Sequence, residues 1–496
     1  MKRLQSLISC LPSYKNESNE NPLIKDLHMD SREVSEGSLF FCISGFTVDG
    51  HDFADQAANS GAAAIIAERE LKYINIPVII VRSSKRAMAL ISACFYDYPT
   101  NKLQLIGVTG TNGKTTTTHL IEKILLDNNR KPGIIGTMYM KYDGKEIPVQ
   151  NTTPESLVLQ KGFSEMAKSG VDTVAMEVSS HALEMGRVHG TDFDVAVFTN
   201  LSQDHLDYHG TMERYAHAKG LLFAQLGNGY GEGKQPVAVI NIDDPYFNEI
   251  EIMTAAPIIT FGIKKNADIR AEHVSINEQG TSFTMTMGNQ SVPVTMKLTG
   301  TFSVYNALAA AAACYASDVP LESIAKSLET LEGVSGRFER VEINQPFHII
   351  VDYAHTPDSL ENVLNTIKEF AKGKISVVVG CGGDRDKTKR PIMANIAEKL
   401  SDYVYLTSDN PRTEDPIEIL KQMEEGMEGS NYTVIESRRD AIFEAVRRAE
   451  RDEIILIAGK GHETYQTIGT VNHHFDDRLV AKDAVEECRK WEQEKE

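Results

Sequence analysis

The run IGVTGTNGKTTTT at residues 106–118 joins an apolar, strand-like segment to a helix-forming one through a glycine-rich turn ending in Gly113-Lys114-Thr115. Gly107, Gly110 and Gly113 leave room for successive backbone N–H groups to converge on an anion, and the following helix adds the positive end of its dipole. Lys114 supplies a full charge and Thr115 a hydroxyl suited to magnesium. A phosphate loop of the general pattern has glycine five positions before Gly113, where this chain has Val108, so the loop is of a narrower type. The bland alternative is a tight bend with no ligand. Strand, turn, Lys-Thr and helix together favour a nucleotide-phosphate site made by Gly110, Thr111, Asn112, Gly113, Lys114, Thr115 and Thr116.

Outward from this loop the chain reads as α/β in three domains, the number expected for 496 residues at about 150 each. Residues 1–100 suggest a small N-terminal α/β domain, with DSREVSEGSLFFCI followed by GFTVDGHDFADQAANSGAAAIIAE. Residues 101–334 string LQLIGVTG, DTVAMEV, DVAVFTN and VAVINI between helical patterns, the signature of a central, phosphate-loop ATPase-like parallel sheet covered on both faces. Within them, 257–298 read as a meander of short alternating strands. Residues 335–496 repeat the rhythm with HIIVDYA, ISVVVG, YVYLTSD and EIILIAG, resembling a dinucleotide-binding sheet but without G-x-G-x-x-G after the first strand.

Composition excludes several classes. With 41% hydrophobic and 24% charged residues the chain is an ordinary globular protein, and a net charge of −19 argues against nucleic-acid partners, which require a basic footprint. Six scattered cysteines without a C-x-x-C pair suggest neither a zinc site nor a disulfide framework, and fit reduced thiols in the cytoplasm. The N-terminus is too short in apolar residues for a signal peptide. The longest apolar run, after Asn306, is about half a membrane span, so no membrane insertion is expected.

Three further features bear on chemistry. Glu177 ends the apolar strand DTVAMEV, which places a carboxylate at the carboxyl edge of the sheet beside the phosphate loop, where doubly wound proteins bind ligands. TNLSQDHLDYHG at 199–210 packs Asp204, His205, Asp207 and His209 after the next strand, donors suited to a divalent ion near phosphate, though such a loop can equally serve only as a polar turn. Lys219, in YAHAKGLLF, reads by itself as a solvated helix lysine.

In order along the chain, GVTGTNGKTTT, EVSSHAL, TNLSQDHLDYHG, YAHAKGLLF, GTFSVYNALAA, GRFE and DYAHTPDSL resemble the Mur ligases, ATP-dependent enzymes that add amino acids to the peptidoglycan precursor. The resemblance spans essentially the whole sequence. Within the family, DSREV, NTTPES at 151, GCGGDRDKTKRP at 380 and DNPRTEDP at 409 resemble the members that add the third residue, and the DNPR form those that take meso-2,6-diaminopimelate; lysine-adding relatives lack that arginine. Two rival readings are a folylpolyglutamate synthase, which shares the loop and the chemistry, and a nucleotide-switched binding protein.

The resemblance implies roles residue by residue. Lys114, Lys219 and His205 would be catalytic, with Lys219 carrying a carbamate. Thr115, Glu177, His205 and the modified Lys219 would hold Mg2+. Asn306, Arg337 and Asp352 would join the loop in binding ATP. UDP-N-acetylmuramoyl-L-alanyl-D-glutamate would be gripped by Met29, Ser31, Phe46, Thr47, Val48, Asn151, Thr152, Thr153, Ser179 and Arg187; the family often has Gln where this chain has Met185. Arg385, Asp409, Asn410, Pro411, Arg412, Gly459 and Glu463 would form the diaminopimelate pocket. A cytoplasmic monomer is expected, with small-molecule substrates only. Because three substrates spread over three domains must converge, a hinge near 333–337, where Gly333 and Gly336 sit, is expected, and the sequence leaves the open or closed arrangement undecided.

Overall fold

The computed structural model describes residues 1–45, 48–72, 74–227, 235–277 and 279–495, with side chains described to 490. Among them three large sheets are formed, one from each third of the chain, and no helix is long and apolar enough to cross a membrane.

The central sheet is organised around Gln104–Thr109, flanked by Thr173–Glu177 and Val195–Phe198, all parallel. Pro132–Ile135 extends it on one side, and Val237–Asn241 and Ile258–Gly262 on the other, again parallel. The two faces follow from the period of two along a strand. Ile106, Val108, Val195 and Val197 point to one apolar layer, while Leu105, Ala196 and Phe198 point to the opposite one. The first layer is covered by the helix Lys114–Asp127 and by Thr301–Ala316, whose residues Ala307–Ala313 are all fully buried. Alanine suits this position: it is the best helix former, and its small side chain lets a helix lie against the sheet and against its neighbour together. The second layer is covered by Ser156–Lys168 and Met212–Ala224, through Phe163, Leu222 and Phe223.

The stretch 257–298 contains the expected meander, but with longer strands and only after its first strand. Its first strand is part of the parallel sheet, and the remainder forms a three-stranded extension of Ile269–Asn277, Gly280–Met287 and Gln290–Met296, nine, eight and seven residues long. Its alternating residues put Phe283, Met285, Val292 and Val294 onto the same core as the helices, which makes longer strands worth forming.

The C-terminal sheet runs Glu339–Val341, His348–Asp352, Ile454–Ala458, Ile375–Val379, Tyr403–Leu406, Tyr432–Val434, parallel except for its first strand. Asp352, Gly380, Asp409 and Gly459 lie at or just past the carboxyl ends of its strands, where an open α/β sheet offers its crevice. That edge faces the mouth of the central sheet. The N-terminal sheet is the five-stranded set Lys15–Asn16, Val78–Ile80, Ala62–Ala67, Ser38–Phe41 and Asp26–His28.

Candidate active site

The phosphate loop has its shape because two glycines take conformations and positions closed to other residues. Gly110 and Gly113 have φ of 153° and 86°, and a Cβ at either would clash with the side chain of Thr199 or Asn306. Neighbouring strand ends hold the loop: Thr199 Oγ1 donates to Asn112 O at 2.7 Å, and Asn112 N to Asn200 Oδ1 at 2.9 Å. Two lysines converge on one carbonyl. Lys114 Nζ donates to Gly110 O at 2.9 Å and Thr111 O at 2.8 Å, and Lys219 Nζ donates to Gly110 O at 2.7 Å. Lys219 is only 1% exposed, so the solvated lysine suggested by its helix alone is not what the fold makes of it. Burial, and then the charge of Lys114, push the Lys219 ammonium well below the ordinary lysine range.

Beside the loop, Thr115 Oγ1 donates to both oxygens of Glu177, at 3.1 and 3.0 Å. Thr137 holds the same carboxylate from the other side, through its N–H at 2.9 Å and its hydroxyl at 3.1 Å, and lies 3.1 Å from Thr152 Oγ1. A hydroxyl and a carboxylate are hard oxygen donors of the kind Mg2+ takes. Among the described residues no group of three His, Cys, Asp or Glu side chains could hold a metal unaided. An ion here would complete its shell from phosphate oxygens and water, as Mg2+ commonly does. His205, at φ 54°, has Nε2 3.3 Å from Asp204 Oδ2 and its ring centroid 4.8 Å from that of His181. Burial lowers His205 to about 3 against the opposing pull of Asp204, and lowers His181 to about 4, so both imidazoles are neutral near neutral pH.

The C-terminal domain reaches into this centre. Arg337 Nη2 donates to Thr115 Oγ1 at 3.0 Å, its guanidinium carbon stands 4.5 Å from the centre of the Tyr353 ring, and Asn112 Nδ2 donates to Asp358 Oδ2 at 2.7 Å. The C-terminal domain therefore stands against the central one: Asp358 and Arg337 find partners on the phosphate loop itself. Asp352 accepts Phe338 N–H at 2.6 Å, and its burial raises its pKa.

Two clefts open from Gly113 and Arg337. One is lined by Thr116, Asn306, Tyr305, Asp243 and Asp352, among others. The other gathers Lys114, Thr115, Thr152, Glu177, Ser179 and His205 from the central domain. From the C-terminal domain it takes Arg385, Asp409, Asn410, Arg412, Gly459 and Glu463. Arg412, at φ 52°, is pinned by Nη1 donating to Gly383 O at 2.8 Å and by backbone bonds to Thr467 and Gly469. Gly383 has no room for a Cβ because the Pro411 carbonyl lies there, and a Cβ on Gly459 would sit 2.7 Å from Asp409 Oδ2. Arg385 Nη1 donates to the carbonyl of Asp384 at 2.9 Å.

The residues expected to grip a nucleotide sugar are spread out. Thr152 and Ser179 line the cleft, whereas Asn151 is exposed outside it. Thr153 is fully buried, donating to Glu177 O at 2.9 Å and accepting from Ser179 N at 3.0 Å, so it braces the Ser179 turn. Arg187 Nε lies 2.7 Å from Glu155, and its Nη2 is 3.7 Å from the sulfur of Met185, the residue standing where the family often has Gln. Met29, Ser31 and Val48 sit on the N-terminal domain away from the cleft, with Met29 36% and Val48 54% exposed and Ser31 Oγ donating to Gln56 at 3.1 Å. Phe46 and Thr47 lie outside the described residues.

Thr137, Tyr353, Asp358 and Lys460 were not singled out from sequence. For Thr137 a signal existed: Gly136-Thr137 follows an apolar strand run, but its place beside Glu177 depends on Pro132–Ile135 pairing with Thr173–Glu177.

Comparison with known proteins places the chain in one family. Residues 23–96 match the family model described as Mur ligase family, catalytic domain, 108–314 that of the Mur ligase middle domain, and 336–461 that of the Mur ligase, glutamate ligase domain. The chain is 58% identical to the UDP-N-acetylmuramoyl-L-alanyl-D-glutamate--2,6-diaminopimelate ligase of Halalkalibacterium halodurans, over 98% of this chain and 99% of that one. It is 52% identical to the protein of the same name from Listeria monocytogenes, over 98% and 99%. A solved structure of a UDP-N-acetylmuramoyl-L-alanyl-D-glutamate--2,6-diaminopimelate ligase aligns with a TM-score of 0.69 at 33% identity, covering 98% of this chain and 99% of that one. A folylpolyglutamate synthase of Mycobacterium tuberculosis shares the fold at a TM-score of 0.63 and 19% identity, covering 75% of this chain and 92% of that one.

Proposed function

This chain belongs to the Mur ligase family, and from that premise we propose that it uses ATP to join meso-2,6-diaminopimelate to the D-glutamyl γ-carboxyl of UDP-N-acetylmuramoyl-L-alanyl-D-glutamate, as a cytoplasmic monomer dependent on Mg2+. The observation that carries the choice of amino acid is the turn Asp409-Asn410-Pro411-Arg412, whose guanidinium is locked by Gly383 at the cleft wall opposite the phosphate loop.

The chemistry follows from what the loop and cleft can hold. A carboxylate is a poor acyl donor because oxide would have to leave. Its oxygen therefore first attacks the γ-phosphorus of ATP, releasing ADP and forming an acyl phosphate; the amine then attacks the acyl carbon, the C–O bond to phosphate breaks, and the amine nitrogen sheds a proton. Bringing a carboxylate to a polyphosphate sets like charges together, a repulsion of about 1 kcal/mol per unit pair at about 4 Å in water and roughly four times that at an effective dielectric near 20. Lys114 and Arg337 are the chain's cations at that point. Mg2+ would add to them, held by Thr115 and Glu177 at one position and by His205 and carbamylated Lys219 at a second. Asn306 and Asp352 would hold the adenosine side, Met29, Ser31, Phe46, Thr47 and Val48 the uridine end, and Thr152, Ser179 and Arg187 the dipeptide.

Diaminopimelate carries one carboxylate more than lysine, and a planar guanidinium pairs it bidentately. Arg412→Ala is accordingly expected to raise the KM for diaminopimelate about 100-fold, the scale of losing a buried charge partner, while leaving the KM for ATP unchanged. Equal rises in both would remove Arg412 from the pocket. The function itself is tested by ADP release and product mass with the nucleotide dipeptide, offering diaminopimelate and lysine in competition and folate with glutamate as the control. Preference for lysine, or turnover only with folate, would overturn the reading.

A further inference from the structure

Lysine is among the residues least often fully buried without a partner. Lys460 is 0% exposed, in the segment that joins the strand Ile454–Ala458 to the hairpin Tyr465–Ile468 and Val471–His474. Its Nζ donates to Asn410 Oδ1 at 3.0 Å and to Glu463 Oε2 at 2.8 Å. Asn410 Oδ1 also accepts Thr467 N–H at 2.9 Å, and Asn410 Nδ2 donates to Glu463 Oε2 at 2.9 Å. With two donors on one oxygen the amide has a single orientation: its nitrogen faces Glu463 and leaves a second N–H for the cleft that Asn410 lines.

The electrostatics call for that cation. Asp409 and Glu463 are two carboxylates at one cleft wall, and burial, then Asp409, push Glu463 above the ordinary carboxylate range while Lys460 opposes them. Without the ammonium, Glu463 would face Asp409 with only the Asn410 N–H left to favour its anion.

We propose that Lys460 is a positioning residue that sets amino-acid specificity: it keeps Glu463 ionised and Asn410 nitrogen-outward, so that the pocket receives an ammonium and a carboxylate borne on one carbon. Resting on the function proposed above, this matches the far end of diaminopimelate, where Glu463 takes the ammonium while Asn410 and Arg412 take the carboxylate. Lysine offers only the ammonium there. The buried positive charge also disfavours a ligand with a net charge of its own of the same sign.

The test is Lys460→Met in the full chain, which keeps the bulk and removes the charge. The KM for diaminopimelate should rise about tenfold and the diaminopimelate-to-lysine ratio of kcat/KM should fall about tenfold, with the KM for ATP unchanged. A variant with the wild-type thermal midpoint and the wild-type ratio, or with equal rises in both KM values, overturns the inference. Should Lys460→Met not fold, Lys460→Met/Glu463→Gln removes both charges of the pair; its ratio must fall below that of Glu463→Gln alone, because the Asn410 amide also loses its Lys460 donor, and a ratio equal to that of Glu463→Gln would overturn the inference. If wild-type protein in the same assay uses no diaminopimelate, the functional reading fails instead.

Discussion

Replacing Lys219 by alanine is expected to lower kcat about 1000-fold, the upper scale for losing one preorganised group that stabilises charge in a transition state. The proposed carbamate rests on the surroundings of this lysine. It is buried, it shares the Gly110 carbonyl with Lys114, and its Nζ lies 4.4 Å from the centre of the Tyr215 ring. Burial and the neighbouring charge of Lys114 both favour the neutral amine. Only a neutral amine adds CO2: the nitrogen attacks carbon, one proton leaves, and a repelling ammonium becomes a carbamate anion. That anion, near neutral His205, suits a divalent cation in a way an ammonium cannot. Lys219→Arg should be as inactive as the alanine variant, because arginine keeps a positive charge and cannot form the carbamate. The signal of 13C-labelled CO2 bound to the wild-type protein, absent from both variants, is the direct check. Full activity of wild type in CO2-free buffer would remove the carbamate from the chemistry.

What the sequence made legible was local or came in one continuous stretch. The phosphate loop, the helix beginning at Lys114 and the strand ending at Glu177 each follow from neighbours within a few residues, and the structure has all three. The family and three-part α/β organisation were legible too, through seven motifs in order. Lys219 shows the boundary of such reading. Its helix, Met212–Ala224, is only weakly one-sided in sequence, and what buries the lysine is the phosphate loop more than a hundred residues earlier. Thr137 and Lys460 were missed for the same reason, since their importance lies in strand order and in a loop closing onto Asn410, neither of which a linear pattern encodes. The domain arrangement was not legible, because Arg337 and Asp358 find partners in Thr115 and Asn112, pairings visible only once the domains meet.

That meeting makes Arg337 the second site of large effect. Arg337→Ala is expected to lower kcat about 1000-fold, in the range known for arginines supplied to a transferring phosphoryl group, and Arg337→Lys should recover only part of it because an ammonium lacks the planar fork. Arg337 enters from the C-terminal domain, donates to the same Thr115 hydroxyl that contacts Glu177, and is steadied by the face of Tyr353. Its approach depends on Gly336, at φ 67°, where a Cβ would clash with the backbone of His462. A cation delivered across a domain boundary is present only when the domains are together, so its stabilisation belongs to the transition state more than to ATP binding. The two possibilities separate cleanly in measurement. If Arg337 acts in the transition state, the variant binds ATP nearly as wild type does while single-turnover phosphate release slows by the full factor. If ATP affinity falls as far as the rate, Arg337 serves ground-state binding, and closure of the C-terminal domain is then a means of holding nucleotide and not of driving phosphoryl transfer.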